Sequence, residues 1–273
     1  MLIDIDAVVL SNDQLSPEYN VVTIAAPEIA RQSRPGQFVM VKRGLGSEPL
    51  LRRPFSIFEV LRTDDGQVKG LSLLNKTVGA VTRILFTLQI GERLDCLGPL
   101  GRPFSVVAPP DQAWLVAGGV GLAPFLTLAE ELKARGTETT LFYGGRSAAD
   151  LYYLERFDQL GVRLILTTED GSLGERGIVT LPLERELAAA PVGRPVTLYA
   201  CGPTGMMRAT AALADAHHRP VQVSLEQVMG CGLGGCYSCV VPVRGDNEST
   251  HLVRSCLDGP VFGGDQIAWN ELT

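Results

Sequence analysis

Four cysteines near the end of the chain constrain its fold more than any other feature. Three follow the spacing C-x4-C-x2-C, and sixteen residues separate the third from the fourth; they are Cys231, Cys236, Cys239 and Cys256. Thiolates hold iron–sulfur clusters, and this spacing is typical of plant-type [2Fe–2S] proteins. The loop is rich in glycine, which adopts positive φ readily and lets a backbone wrap closely around a small inorganic group; the glycines are Gly230, Gly232, Gly234 and Gly235. The sequence therefore predicts a [2Fe–2S] cluster on these cysteines.

Two other interpretations of the cysteines remain open. Structural zinc also takes four thiolates, and Cys236 with Cys239 forms a good zinc half-site. Zinc ribbons usually pair two C-x2-C knuckles, however, whereas the other two cysteines stand alone. A disulfide pair is a further alternative, although nothing in the sequence indicates an oxidising compartment. The histidines His217, His218 and His251 lie outside the cysteine spacing, so we interpret them as surface residues.

Length and composition limit the kind of protein this can be. A chain of 273 residues, 45% hydrophobic and 20% charged, suits two packed domains and an appendage. Its net charge of −6 disfavours nucleic acid as a partner. The first residues lack the basic start and apolar core of a signal peptide, and no uncharged apolar run reaches about 18 residues. We therefore expect a protein of the reducing cytoplasm, without a membrane span.

The first hundred residues predict a small antiparallel barrel. Short β-prone runs bounded by proline and glycine occur at residues 21–25, 38–42, 54–60, 70–74 and 92–97, with Pro35 and Gly36 as a turn. One helix is predicted over residues 77–88, where apolar residues recur at helical spacing; these are Val78, Val81, Leu85 and Leu88. Many short strands with one helix are typical of a barrel.

Two segments of this barrel suit a cofactor. In the motif R-P-F-S, strand alternation places Arg53 and Phe55 on one face and Ser56 on the other. Arginine suits phosphate, an aromatic ring can flank a flat heterocycle, and a hydroxyl can bond a ring nitrogen. Residues 75–82 lead from a strand into a helix start, where free N–H groups bind phosphate. Solvated edge charge is the alternative explanation of Arg52 and Arg53, and the four-residue motif alone slightly favours it.

The middle of the chain predicts a parallel sheet, because strands and helices alternate. Predicted strands cover residues 113–117, 139–143, 162–168 and 196–200. Predicted helices run from residue 122 to a stop at Gly136, through residues 156–159, and over residues 206–216. Each strand ends in a loop of small residues, at 118–121, 144–147, 168–171 and 201–204. Carboxyl ends of parallel strands form ligand crevices, so the loops predict a nucleotide site although G-x-G-x-x-G is absent. Tight packing of strand against helix would explain any one loop.

A family resemblance follows from the order of these motifs. R-P-F-S at 53–56, G-G-V-G-L-A-P at 118–124, Y-G-G-R-S at 143–147, T-E-D-G-S-L-G at 168–174 and C-G-P-T-G-M-M at 201–207 resemble ferredoxin–NADP reductase-like flavoproteins. With the cysteine loop added, the chain resembles the electron-transfer subunits of dihydroorotate dehydrogenase B over essentially its whole length. The cysteine loop and C-G-P-x-x-M-M are the specific parts of this resemblance, since R-P-F-S is shared across the superfamily.

The resemblance implies a multi-domain β and α/β protein. An antiparallel FAD-binding β-barrel would occupy residues 1–106, and a parallel-sheet NAD-binding α/β domain residues 107–222. A small C-terminal [2Fe–2S] domain would occupy residues 223–273, with the four cysteines matched one for one as metal ligands.

The resemblance also implies which residues bind the cofactors. Arg53 would hold the FAD pyrophosphate and Ser56 would approach the flavin N5. The other implied FAD residues are Pro54, Phe55, Leu74, Asn75, Lys76, Gly79, Val81 and Thr82. Relatives often have Gly-Thr where this chain has Val81 and Thr82, which gives Thr82 more weight. The implied NAD residues are Gly118, Gly119, Gly121, Gly145, Arg146, Cys201 and Gly202, with Cys201 near the nicotinamide.

The implied activity is electron transfer. NADH would give a hydride to FAD, and the cluster would pass single electrons to a dihydroorotate dehydrogenase catalytic (FMN) subunit of pyrimidine biosynthesis, in a heterotetramer of two of each subunit. Since the cofactors carry the chemistry, we predict no catalytic acid or base. One alternative is an NAD(P)H-linked flavin and iron–sulfur subunit of a hydrogenase or ferredoxin-dependent complex; another is a nucleotide-sensing protein with structural zinc. Glu169 and Asp170 would disfavour an adenosine 2′-phosphate that Arg146 could accept, and the resemblance favours NADH.

Overall fold

The computed structural model describes residues 2–44, 49–191, 193–245 and 249–272. The chain forms two compact units. One unit comprises Met1–Pro103, Gln227–Val240 and Arg254–Pro260, and the other comprises Phe104–Glu226, Val241–Val253 and Val261–Thr273. All four cysteines of the C-x4-C-x2-C…C set therefore belong to the first unit. Residues 223–273 contribute to both units, and the three-part division by function stays a prediction.

The first unit is built on a seven-stranded antiparallel sheet, which confirms the architecture predicted for this region. Its strands are β1 (Ile3–Gln14), β2 (Tyr19–Ile24), β3 (Phe38–Arg43), β4 (Arg53–Ser56), β5 (Glu59–Arg62), β6 (Val68–Lys76) and β7 (Arg93–Leu100). The strand order is β4-β3-β7-β1-β2-β6-β5, and every neighbouring pair is antiparallel. Helices α1 (Pro27–Gln32) and α2 (Ala80–Thr87) complete the barrel unit.

The barrel core consists of the side chains that alternate onto one face of each strand. Fully buried examples from five strands and from both helices are Val9, Val22, Ile24, Val39, Val41, Leu71, Leu73, Leu94, Ile29 and Leu85. The alternating pattern of residues 3–9 also explains β1, which the sequence analysis missed together with the short α1. Apolar burial of this kind is the main force that stabilises such a sheet.

Two predicted elements of this unit were wrong in their extent. Residues 54–60 form two strands, because the N–H of Ile57 still bonds Gln37 beside β3 while the N–H of Phe58 bonds Ser72 of β6. The predicted helix 77–88 begins only at Ala80. Val78 is 74% exposed and does not share the buried face.

The second unit contains the parallel sheet that the sequence predicts. Its strands are β8 (Gln112–Gly118), β9 (Thr139–Gly145), β10 (Arg163–Thr168), β11 (Glu175–Arg176), β12 (Val196–Cys201) and β13 (Val221–Ser224). Its helices are α3 (Phe125–Ala134), α4 (Leu154–Gln159), α5 (Thr180–Ala189) and α6 (Thr204–Ala216). Two further strands, β14 (Val240–Arg244) and β15 (Thr250–Arg254), pair with each other. They are followed by the short helix α7 (Ser255–Asp258) and strand β16 (Val261–Gly263).

The strand order of the second sheet creates a crevice at one defined place. The order is β11-β10-β9-β8-β12-β13-β16, with only β13 and β16 antiparallel. The chain runs outward from β8 through β9 to β10 and then returns to place β12 on the other side of β8. Ligands of open parallel sheets bind at such a reversal, outside the carboxyl ends of the strands. Among the described residues, no helix is both long and apolar enough to span a membrane.

Candidate functional site

The four cysteines lie as two contacting pairs. The Cys236 thiol interacts with that of Cys231, and the Cys256 thiol interacts with that of Cys239. Hydrogen bonds from Ser238 and from Cys231 lower the pKa of Cys236 to about 6. Burial, followed by the hydrogen bond and charge of Cys239, raises the pKa of Cys256 to about 12. The lowered pKa favours the thiolate form of Cys236 at neutral pH.

Two pairs of thiols suit a two-iron cluster better than one zinc ion. Within the described ranges, no three His, Cys, Asp or Glu side chains converge on a point that could hold a single metal ion. Tetrahedral zinc needs four ligands around one point, whereas a [2Fe–2S] cluster takes its four thiolates two to an iron. The four thiols thus fit the predicted cluster. His218 and His251 are exposed, as expected of surface residues.

Close packing fixes the shape of the cysteine loop. Gly232 has φ +70, and a Cβ there would lie 2.6 Å from Cγ of Met40. Gly234 has φ +80 beside Leu257. The prediction of positive φ was wrong for Gly230 and Gly235, which are not among the residues with positive φ. The loop also directs the N–H of Leu233 toward Cys231 Sγ at 3.3 Å.

One thiol pair is buried against the barrel sheet and the other reaches the surface. Cys239 and Cys256 belong to an apolar cluster together with side chains of β3, β7 and the loop itself. The other members are Phe38, Met40, Leu97, Leu100 and Met229. Cys236 is exposed, and Cys231 is partly so. The loop therefore offers a route between the barrel and solvent.

The R-P-F-S strand has the predicted alternation. Phe55 lies opposite Val39 and packs on the barrel core, whereas Ser56 lies opposite Phe38 on the other face. The two arginines differ. Arg52 pairs with Asp4 at 2.7 Å and with Asp95 at 3.4 Å. These ion pairs give Arg52 a structural role that needs no cofactor.

Arg53 has a different environment from its neighbour. Its guanidinium donates to the carbonyls of Leu51 and Arg52 at 3.2 and 3.0 Å. Among the described residues it pairs with no carboxylate, so its charge is available to an anion. An unpaired guanidinium suits both an anionic ligand and solvent, so the FAD role of Arg53 and its alternative as a solvated edge charge both stay predictions.

The second predicted FAD segment is held by a buried amide network. Asn75 is fully buried and donates to Asn20 Oδ1 at 2.7 Å and to the Thr82 carbonyl at 2.9 Å. Asn20 in turn donates to Asn12, which bonds the last carbonyls of α2. The sequence analysis missed Asn12 and Asn20, because isolated asparagines in strands carry no motif. This network fixes α2 against the strands.

The remaining residues of this segment divide between core and surface. Leu74 and Val81 are buried, whereas Lys76 lies over the ring of Tyr19 with 5.0 Å between Nζ and the ring centroid. Thr82 Oγ1 accepts the N–H groups of Val78 and Gly79 at 2.9 and 2.8 Å. Contacts of these residues with FAD stay a prediction.

The predicted NAD loops meet where the second sheet reverses its order. A Cβ on Gly121 would collide with the backbone of Cys201 and Gly202, and one on Gly118 would lie 2.7 Å from Cδ of Pro203. The tight-packing explanation is therefore right for these two glycines, and it is what brings the ends of β8 and β12 together. Cys201 is buried, and burial holds the pKa of its thiol well above the usual range.

The neighbouring loops of β9 and β10 carry opposite charges. The guanidinium of Arg146 is engaged by the buried carboxylate of Asp150, with Nε–Oδ2 at 3.0 Å and Nη2–Oδ1 at 3.2 Å. The N–H of Glu169 bonds the Gly145 carbonyl at 3.1 Å, which places this exposed carboxylate beside the loop. The hydrogen bonds of Ser172 lower the pKa of Asp170. The carboxylates of Glu169 and Asp170 thus give the rim of the crevice negative charge, while Asp150 balances the charge of Arg146.

Comparison with known families gives two matches. Residues 226–268 match the iron–sulfur cluster binding domain of dihydroorotate dehydrogenase B. Residues 115–212 match the oxidoreductase NAD-binding domain. The first covers all four cysteines and the second covers the crevice between β8 and β12.

Individual proteins resemble the chain over nearly its whole length. The electron transfer subunit of dihydroorotate dehydrogenase B (NAD(+)) from Desulforamulus reducens is 37% identical, over 97% of this chain and 98% of its own. The subunit of the same name from Enterococcus faecalis is 35% identical, over 95% and 96%. A solved NADH-dependent reduced ferredoxin–NADP oxidoreductase superposes with a TM-score of 0.83 at 28% identity, over 97% of this chain and 91% of that one.

Proposed function

The chain belongs to the family of dihydroorotate dehydrogenase B electron-transfer subunits, and from that membership we propose how it works. It carries electrons between NADH and a catalytic partner subunit that acts on dihydroorotate in pyrimidine biosynthesis, using FAD and a [2Fe–2S] cluster. We further propose a cytoplasmic heterotetramer of two copies of each subunit. The sequence similarity over the whole chain supports the activity, and the remaining proposals concern the arrangement that serves it.

The observation that carries the electron route is the double contact of strand β3. Along one edge β3 pairs with β4, the R-P-F-S strand. On one face its side chains Phe38 and Met40 pack with Cys239 and Cys256. The candidate flavin strand and the buried thiol pair are therefore neighbours of the same six-residue strand. Electron transfer needs its two centres close together, and this strand supplies that proximity within one unit.

Two residues of the flavin strand have separate tasks in this proposal. Arg53, whose charge no carboxylate of the described residues neutralises, holds the FAD pyrophosphate. Ser56, on the face that continues toward the cysteine loop, would bond the flavin N5. FAD held there would supply the chemistry that links hydride transfer from NADH to single-electron transfer. The protein contributes orientation and electronics rather than acid–base chemistry.

The NAD site lies at the crevice between β8 and β12 in this proposal. The close approach of Gly121 to Cys201 aligns the two strand ends there, and the loop of Arg146 lies on the next strand of the sheet. Because Asp150 already engages Arg146 and Glu169 lies beside it, an adenosine 2′-phosphate would find net negative charge. This arrangement supports NADH rather than NADPH as the donor.

Electrons leave through the exposed end of the cysteine loop. Cys236 is exposed, and so are four apolar side chains of the same loop and of α7; these are Val228, Leu233, Tyr237 and Leu257. Exposed apolar clusters mark interaction sites on proteins that otherwise bury such residues. We therefore place the docking surface of the catalytic subunit on this loop.

The test separates flavin reduction from delivery to the partner. NADH should bleach the flavin of the isolated chain, whereas NADH-linked orotate reduction should require an added dihydroorotate dehydrogenase catalytic subunit. Cys256→Ser should weaken the cluster and stop delivery while flavin reduction continues. The matched control is Cys96→Ser, which changes a buried cysteine outside the candidate cluster.

Two results would contradict the proposal. Orotate turnover by the isolated wild-type chain would refute the division of labour between subunits. Full delivery by a Cys256→Ser chain shown to lack iron and acid-labile sulfide would remove the cluster from the route. Zinc in place of iron and sulfide in the wild-type protein would overturn the cluster assignment itself.

A further inference from the structure

Ser255, next to the cluster ligand Cys256, is a buried serine whose hydroxyl has no hydrogen-bond partner among the described residues. Its relative exposure is 0%. A buried hydroxyl left unpaired loses its hydrogen bonds to water without replacement, so nearly all such groups in proteins are paired. This group therefore requires an explanation.

Both backbone groups of Ser255 make hydrogen bonds, so only its side-chain hydroxyl is unpaired. Its N–H donates to the carbonyl of Cys239 at 2.9 Å, and its own carbonyl accepts the N–H of Gly259 at 3.0 Å. The first of these bonds fixes Ser255 directly against the backbone of a second cluster ligand. The backbone thus holds Ser255 beside both cysteines of the buried thiol pair.

The hydrophobic side chains that pack with that thiol pair offer it carbon and sulfur. Cys239 and Cys256 pack with one phenylalanine and two leucines of β3 and β7 and with two methionines. Sulfur is a weak acceptor in a thiol or thioether, but the sulfurs of an iron–sulfur cluster carry negative charge and accept hydrogen bonds that tune its potential.

We propose that the Ser255 hydroxyl donates a hydrogen bond to a sulfur of the [2Fe–2S] cluster and raises its reduction potential. The proposal rests on the cluster assigned above. Reduction adds one electron to the cluster, and a donated hydrogen bond stabilises the more negative, reduced form. Ser255 is then a positioning and tuning residue for the electron-exit step, which the sequence analysis missed because it considered only the ligands.

The decisive measurement is the midpoint potential of the cluster in the isolated chain, determined by a redox titration that electron paramagnetic resonance monitors. Iron and acid-labile sulfide are determined first, so that a missing cluster is recognised as failure of the proposed function and not of this inference. Ser255→Ala should make reduction at least threefold less favourable, a shift of about 28 mV to lower potential at 59 mV per tenfold. Ser255→Thr keeps the hydroxyl and should stay near the wild-type potential.

Stability gives a second readout with opposite signs in the two forms. In the loaded protein Ser255→Ala loses a hydrogen bond and should lower the unfolding midpoint. In the cluster-free chain the same change removes an unpaired buried hydroxyl and should raise the midpoint or leave it unchanged. The matched control is Ser33→Ala, whose hydroxyl donates to the Ala30 carbonyl at 2.8 Å. It should lower the midpoint in both forms and leave the potential unchanged.

An unchanged potential in a loaded Ser255→Ala chain would overturn the proposal, and so would a raised unfolding midpoint in that loaded chain. If the alanine chain does not retain the cluster, the threonine chain decides. Retention at the wild-type potential supports the hydroxyl as the required group. Loss of the cluster from both chains shows that the site needs the size of the serine side chain rather than its hydrogen bond, and the proposal fails.

Discussion

Phe38 lies directly opposite Ser56 in the antiparallel pairing of β3 with β4. Facing residues of such a pair project to the same side of the sheet. The ring of Phe38 belongs to the apolar cluster that contains Cys239 and Cys256. The hydroxyl proposed to meet the flavin and the buried thiol pair are therefore on the same face of the barrel sheet. This relationship makes the cysteine loop an integral part of the flavin unit.

That integration predicts a strong effect of a small substitution in the loop. Gly232→Ala places a Cβ 2.6 Å from Cγ of Met40 and forces a side chain onto a residue with φ +70. The conformational penalty alone is about 1–2 kcal/mol. We expect the variant to lose most of its iron and acid-labile sulfide, measured per FAD after purification.

The same loop offers a matched control. Gly235 is not among the residues with positive φ, and a Cβ there would meet nothing within 4 Å. Gly235→Ala should keep its cluster. Equal iron contents in the two variants would show that the fit of the loop against Met40 does not govern cluster retention.

The adjacent arginines should respond differently to the same change. Arg53→Ala removes the proposed phosphate contact, and a charged hydrogen bond contributes about 1.5–3 kcal/mol. FAD affinity should therefore fall about 10- to 150-fold in an equilibrium titration. Arg52→Ala instead removes a partner of the buried Asp95 carboxylate. Its main effect should be a lower urea midpoint of unfolding, with a smaller effect on FAD affinity. If Arg52→Ala mainly weakened FAD binding and Arg53→Ala mainly lowered the urea midpoint, the two roles would be exchanged.

The sequence predicted those parts of the fold that have a repeating signal. Short β-prone or apolar runs bounded by proline and glycine identified most strands of both sheets, and the small-residue loops at successive strand ends predicted the crevice. What it could not predict depends on contacts distant in sequence. The break of residues 54–60 into β4 and β5 comes from hydrogen bonds to Gln37 and Ser72.

The site shows the same division between local and distant information. Cysteine spacing identified four candidate ligands, because metal chemistry restricts the residue types. The unequal ion pairing of Arg52 and Arg53 depends on Asp4 and Asp95, which lie far away in the sequence. The sequence motif does not distinguish the two neighbouring arginines. The carboxylates that pair with Arg52 in the folded chain do.

Stability at high pH should depend on the buried thiol of Cys96. Burial raises the pKa of this thiol to about 12, above its ordinary value of 9.0. The folded state therefore keeps a proton that the unfolded chain releases. Its stabilising contribution is complete below about pH 9 and is lost as the pH rises toward about 12.

The measurement compares urea midpoints of wild type and Cys96→Ala, followed by release of FAD fluorescence, at pH 7.5 and pH 10. The variant lacks the thiol and should be less stable at pH 7.5, because it leaves a small cavity in the core. Its midpoint should fall less between the two pH values than that of the wild type. A steeper fall in the variant would mean that Cys96 does not contribute to the alkaline loss of stability.

Nucleotide selectivity should depend on Asp150, which lies under the crevice rim. Its buried carboxylate engages the guanidinium of Arg146 at 3.0 and 3.2 Å. Asp150→Asn keeps the size of the side chain and removes its charge, so the guanidinium becomes available to a 2′-phosphate. Gain of one charge-assisted contact of about 1.5 kcal/mol corresponds to roughly tenfold. The NADPH-to-NADH ratio of flavin reduction rates in stopped flow, at equal subsaturating nucleotide, should rise by about that factor.

The double variant Asp150→Asn with Arg146→Ala is the control and should return to the wild-type preference. An unchanged ratio in Asp150→Asn, or a raised ratio that persists without the arginine, would remove the Arg146–Asp150 pair from nucleotide choice.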